Sequence, residues 1–286
     1  MSRPFAGQTA VITGAASGIG LALSACAIEH GMNVVMVDLD QATLEEASQT
    51  ISAGNNVLTC LADVSVEESL AAVRDAAMHR FGDIQLLFNN AGVLLSKPAW
   101  EYTAEDWAWV LGVNLGGVTN GIRVFLPHMQ RHGKSAWVVN TASVAGFLSP
   151  SRLAAYNASK QAVVAVSETL HHELQESGSR IGVSVLCPAW VPTRIDQSER
   201  IRPNRFMPTQ AEMVVDAVDG AVMDHAMSIS SAVSKGKLSP QDIARITFSA
   251  IEQKQFYIFP HPRILPALEE RFEAIRQACN QAASRG

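Results

Sequence analysis

The stretch "TAVITGAASGIG", Thr9 to Gly20, decides the fold. Thr9–Thr13 is β-branched and apolar, the composition of a strand. Gly14, Gly18 and Gly20 follow at once, and a helical pattern comes next. Glycine permits positive φ and lets the backbone approach a ligand closely. A helix that opens there presents free N–H groups and a partial positive charge, which suit an anion. The GxxxGxG spacing matches the commoner GxGxxG only loosely. Taken alone, the stretch reads equally as an ordinary strand–helix turn or as a phosphate-binding one.

The rest of the chain repeats the strand–helix theme. Apolar runs recur at 33–38, 56–63, 84–90, 135–143, 181–188 and 255–260, separated by helical patterns. They are nearly continuous in Val, Ile and Leu, as in strands buried on both faces of a parallel sheet. The expectation is an α/β fold, a single-domain Rossmann fold with a doubly wound parallel sheet of about seven strands. The long interval 189–254 is expected to be a helical insertion forming a substrate lid, and 261–286 a C-terminal helical extension. Length alone would allow a second domain, at ~150 residues each, but no linker or repeat divides the 286 residues.

Composition removes other classes. Hydrophobic residues make up 48% and charged residues 17%, as in a folded protein with a large core. A net charge of −5 without a dense Lys/Arg block argues against nucleic acid. No stretch reaches the ~18 apolar residues of a membrane span, and the opening residues do not follow a secretory pattern, so a cytoplasmic protein is expected. Cys26, Cys60, Cys187 and Cys279 are scattered and read as reduced. The histidines show no metal-ligand spacing, and His171 and His172 read as a solvated helix surface, so no metal is expected.

Asp38 ends the second apolar run. A carboxylate there accepts hydrogen bonds from adenosine ribose hydroxyls and repels a 2′-phosphate. Its neighbours Ser17, Leu39 and Asp40 add no cation, which favours NAD over NADP. Asp38 could instead cap the next helix, a task open equally to Asp40. Asp63 after the third run is placed to reach adenine, with Val64 beside it. In "NNAG", Asn89 and Gly92 would line the cleft, together with Asn90 and Ala91; Ile19 completes the glycine turn. All lie at strand C-terminal ends, where open α/β sheets bind ligands.

"YNASK" sets Tyr156 and Lys160 four residues apart, on one face of a helix. An ammonium nearby favours the phenolate, and Ser143 at the end of the fifth run could hydrogen-bond a substrate oxygen. A packed ring and a solvated lysine is the ordinary reading of such a pair. The glycine turn, the strand-end serine and "NNAG" weigh against it here.

In this order, "TGAASGIG", Asp38, Asp63, "NNAG", Asn114 in "GVNLGG", Ser143, "YNASK" and "CPAWVPT" closely resemble the short-chain dehydrogenase/reductase family over nearly the whole chain. The resemblance implies a tetrad of Asn114, Ser143, Tyr156 and Lys160. It also implies nicotinamide contacts from Pro188, Val191 and Thr193, with Ala189 where the family usually has glycine. It further implies a homodimer or homotetramer, built on the glycine-rich helix 104–126 (Gly112, Gly116, Gly117, Gly121) and the helix 156–177 (Val163, Val166, Leu170, Leu174); packing on the sheet explains both patterns as well.

The substrate pocket is expected from Val93, Leu94, Val144, Phe147, Leu148, Trp190, Phe206, Met207, Met223 and Met227. Such apolar walls suit a hydrophobic, fairly bulky secondary alcohol or ketone as small-molecule substrate. "SERIRPNRF" and "FYIFPHPRILPALEERFEAI" are similar to a bacterial subgroup that includes dehydrogenases of lignin-type aryl-ether benzylic alcohols, which points to aryl or alicyclic substrates. Arg200, Arg202 and Arg205 read as a solvated loop or as contacts to a substrate carboxylate. The alternatives are a steroid- or terpenoid-type or acyl-chain ketoreductase, and a non-catalytic NAD-sensing protein.

Overall fold

The computed structural model describes residues 4–51, 54–208 and 220–283. Seven parallel strands form one sheet in the order β3-β2-β1-β4-β5-β6-β7. They are β1 (Thr9–Thr13), β2 (Asn33–Asp38), β3 (Val57–Leu61), β4 (Leu86–Asn89), β5 (Ala136–Thr141), β6 (Ile181–Leu186) and β7 (Tyr257–Ile258). β1 pairs with β2 from Thr9↔Asn33 to Thr13↔Val37, and with β4 through Ala10↔Leu86 to Ile12↔Phe88. The chain order reverses between β1 and β4, which opens the cleft at their C-terminal ends.

Alternation along β1 feeds two cores. Ala10 and Ile12 face α1 (Gly18–Glu29), α2 (Gln41–Thr50) and α8 (Pro240–Glu252). Val11 faces the opposite layer of α3 (Glu67–Phe81), α5 (Gly117–His132) and α6 (Ala154–Glu176). Burial of each such Val or Ile contributes about 1.5–3 kcal/mol. The expected burial on both faces holds for the inner strands. β3 is an edge strand and departs from it, with Leu61 exposed, because it pairs with β2 on one side alone.

The glycine-rich helix is two helices joined by a π turn: α4 (Ala104–Leu111), the turn Gly112–Gly116, and α5. Its glycines answer to this chain's own residues. A Cβ on Gly121 would stand 2.0 Å from Asn89 Oδ1, and one on Gly117 2.7 Å from a Val64 methyl.

The interval 189–254 is not all lid. Ser239 and Asp242 form a capping box that starts α8, whose Ile243, Ala244, Phe248 and Ile251 are buried against α1. This apolar spacing makes α8 a core layer. The arm that crosses the cleft is Ile195–Phe206, in short 3₁₀ turns, and α7 (Gly220–Ser234) follows it in chain order. The extension is α9 (Leu265–Ala283), where Phe272 and Ile275 are exposed. No helix among the described residues is long and apolar enough to cross a membrane. His171 is not simply solvated: it stacks on Phe256 with ring centres 4.5 Å apart.

Candidate active site

One cavity of about 620 Å³ lies over the C-terminal ends of β1, β4, β5 and β6. Gly14, Ser17, Gly18, Ile19, Asp38, Asp63, Val64, Asn90, Ala91, Gly92, Ser143, Tyr156, Lys160, Pro188, Val191 and Thr193 all line it. These candidates come from across the chain, and the parallel topology gathers them at one edge.

Three candidates, Gly20, Asn89 and Asn114, stand behind the wall. Gly20 packs the first turn of α1 on the glycine loop, where a Cβ would lie 2.0 Å from Gly14 O. Asn89 faces away from the cleft: its Nδ2 donates to Asn140 Oδ1 at 2.9 Å, beneath α5. Strand alternation explains this, since the side chain at the strand's last residue points into the helix layer and its successor points elsewhere. Asn90 turns to the cleft. Its Nδ2 donates to Thr13 O at 3.0 Å, while Thr13 Oγ1 accepts from the N–H groups of Asn90 and Ala91. Thr13 is not legible as a site residue in the sequence because its role, holding the loop after β4, depends on pairing between β1 and β4.

A dinucleotide fits the glycine end. Gly14 and Gly18 have φ of +67° and +54°, and a Cβ on Gly14 would meet Ala91 Cα at 2.9 Å. Ser17 precedes α1 in extended backbone, and its side chain makes no capping hydrogen bond. Asp38 Oδ2 accepts from Ala16 N–H at 2.9 Å and Oδ1 from Leu39 N–H at 2.8 Å. The cap of α2 is Asp40, which accepts from Thr43 N–H, so the helix leaves Asp38 at the cavity rim. Asp38 lacks a cation among its chain neighbours, but not among the residues that share its cavity. Arg194 and Arg200, far along the chain, line the cavity too; hydrogen bonds from Thr43 chiefly, and then these arginines, hold the Asp40 carboxyl below its usual value.

At the centre, Tyr156 and Lys160 are both buried on the cavity face of α6. Lys160 Nζ donates to Thr141 O at 2.8 Å. Burial brings its ammonium down to about 8 and pushes the Tyr156 phenol up to about 12, the latter opposed by a hydrogen bond from Ser143. Among the protein's own groups the Ser143 hydrogen bond works to lower the phenol, and desolvation outweighs it. Ser143 Oγ accepts from Ala145 N–H at 3.1 Å.

Asn114 lies in the π turn and is fully buried under the cavity floor. Its Oδ1 accepts from Val93 N–H at 2.8 Å; its Nδ2 donates to Val93 O and to Ser159 Oγ, each at 3.0 Å. Ser159 Oγ donates in turn to Tyr156 O at 2.7 Å. The asparagine thus ties the loop after β4 to the helix of the Tyr–Lys pair. Ser159 lies inside "YNASK" and could have been suspected there.

The far end is apolar. Val93, Leu94, Val144, Leu148 and Trp190 line it as expected, joined by Trp109, Leu153, Ile195 and Ile201. Phe147 instead packs edge-on against Tyr257 and tilted against Phe259, Phe206 packs against the α4 cluster, and Met207 and Met227 are exposed. The Met223 side chain lies outside the described residues. Arg202 is neither solvated nor turned to a substrate: it is buried, 2.7 Å from Asp106 and stacked on Trp109. Among the described residues no group of three His, Cys, Asp or Glu side chains could hold a metal ion.

Comparison with known proteins agrees with this arrangement. The family model described as short chain dehydrogenase matches residues 8–204. A short-chain dehydrogenase/reductase of Burkholderia phymatum, solved in complex with NAD, is 43% identical with a TM-score of 0.88, covering 97% of each chain. A CLA biosynthesis dehydrogenase/reductase of Lactiplantibacillus plantarum is 33% identical over 96% of this chain and 94% of its own length. A C alpha-dehydrogenase of a Sphingobium species is 30% identical over 96% and 87%. With its glycine turn, its buried Tyr–Lys pair and a match over most of its length, the chain belongs to the short-chain dehydrogenase family.

Proposed function

We propose that the chain is an NAD-preferring oxidoreductase that interconverts a hydrophobic secondary alcohol, aryl or alicyclic, with its ketone. The observation that carries this reading is a single cavity with Tyr156, Lys160 and Ser143 at its centre, a glycine-turn phosphate cradle at one end and an apolar wall at the other. The NAD complex of the Burkholderia phymatum relative and the activity named for the Sphingobium relative support it. Asp38, held at the rim by Ala16 N–H, supports NAD over NADP.

When bound, the nicotinamide would accept or supply the hydride. The chain's own residues handle the proton. Tyr156 Oη would take the carbinol proton in oxidation and return it in reduction. Ser143 would donate to the substrate oxygen and hold it beside the phenol. The Lys160 ammonium, fixed by Thr141 O, would favour the phenolate as charge develops. Leu94, Leu148, Leu153 and Ile195 would exclude water from the reacting carbon. Asn114 would keep the loop after β4 and α6 in register. The same reading includes a homodimer or homotetramer, which light scattering would count.

The test is the appearance of reduced cofactor from NAD across small aliphatic, cyclic, benzylic and steroid-like secondary alcohols. Selective turnover of bulky aryl or alicyclic members is expected. A flat response with NAD still bound would refute the reading and favour a non-catalytic NAD sensor.

A further inference from the structure

Arg205 sits on the arm Ile195–Phe206, and its partner Asp63 follows β3, far from it in the chain. Its guanidinium donates to Asp63 Oδ2 at 2.5 Å and to Ser65 Oγ at 2.7 Å. It also lies over the Phe206 ring, 4.5 Å from the centroid. The other Asp63 oxygen accepts from Ser65 N–H at 2.9 Å and Ser65 Oγ at 2.6 Å. Asp63 lines the cavity beside Ala62 and Val64, whereas Arg205 grips it from outside the wall.

The same arm reaches the opposite end of the cavity. Ser198 and Ile201 line the apolar part, and Ser198 Oγ accepts from the buried N–H of Leu94 at 3.0 Å. Arg202, between them and Arg205, is locked to Asp106. The arm is therefore one strip with its middle anchored in the protein, one end on the substrate wall and the other on Asp63. An exposed ion pair contributes little to folding, and the Arg205 side chain is 46% exposed. Its geometry makes more sense as a link between the two ends.

We propose that Arg205 is a positioning residue that holds Asp63 for the adenine side of the dinucleotide, and thereby couples dinucleotide binding to closure of the arm over the substrate wall. The proposal rests on the cofactor reading above. Coupling between two sites is reciprocal, so a dinucleotide that favours the closed arm is itself bound more tightly by it.

The experiment compares wild type, Arg205→Ala and Arg205→Lys by titration calorimetry with NAD, ADP-ribose and nicotinamide mononucleotide. Arg205→Ala should weaken NAD and ADP-ribose by about fivefold, the low end of typical couplings, and leave the mononucleotide unchanged; Arg205→Lys should recover part of the loss. NAD should slow tryptic cleavage after Arg200 in wild type and slow it less in Arg205→Ala. A general loss of structure would not separate the adenine half from the nicotinamide half. Unchanged ADP-ribose affinity in Arg205→Ala, or equal NAD protection in both proteins, overturns the coupling alone. Failure of wild type to bind ADP-ribose overturns the cofactor reading along with it.

Discussion

Lys160 holds its Nζ 5.6 Å from the centre of the Tyr156 ring and donates to the Thr141 carbonyl. The pair shares one helix face, but in the protein alone burial dominates both groups. Lys160 falls from 10.5 to about 8, so between those values the unfolded chain keeps a proton that the folded chain has lost. Its contribution to stability should be present above pH 10.5 and lost as pH falls through about 8. Lys160→Met should flatten that part of the stability profile, measured by denaturant unfolding across the range.

Tyr156 has the opposite sign, since its folded value of about 12 lies above the usual 10. In the proposed reaction its hydroxyl exchanges the proton. Tyr156→Phe should lower kcat by roughly 10³-fold while leaving NAD affinity near wild type. Steady-state rates together with calorimetric titration check both halves of this expectation.

Asp38 presents its carboxylate at the rim while Ala16 N–H orients it. Replacing it with Ser should remove both a ribose acceptor and a repulsive charge. The ratio of kcat/KM with NADP to that with NAD should rise by about tenfold, helped by Arg194 and Arg200 nearby. A ratio that does not move would remove Asp38 as the discriminating group.

Gly121 leaves no room for a methyl group against Asn89. Gly121→Ala should force Asn89 off Asn140 and cost about 1–3 kcal/mol by overpacking. Thermal unfolding would show it as a lowered Tm, with NAD affinity little changed because Asn89 does not line the cavity.

Arg202 and Asp106 form a buried pair, with Lys97 Nζ 3.2 Å from the second oxygen. Arg202→Met should cost roughly 3 kcal/mol, the low end for breaking a buried pair, because Lys97 still meets the carboxylate. Combining it with Asp106→Leu should recover part of that loss. Denaturant unfolding of the single and double variants measures the coupling.

By itself the sequence determined the parallel sheet and the positions of the candidate residues. β1 and β2 begin and end as their apolar runs do, because inner strands of such a sheet are buried on both faces and periodicity reports burial directly. Glycines in the first turn and the spacing of Tyr156 and Lys160 were legible because local backbone geometry sets them. What only the tertiary structure decided are relationships between distant segments. The stretch holding Arg200, Arg202 and Arg205 reads as one charged loop, but packing sends the three to different surroundings: the cavity rim, the buried Asp106 and the Asp63 carboxylate. α8 left the expected lid for the core because its apolar face found α1. The protonation of the Tyr–Lys pair also depended on burial, since desolvation is a property of everything that surrounds a group and is not carried by its neighbours in the chain.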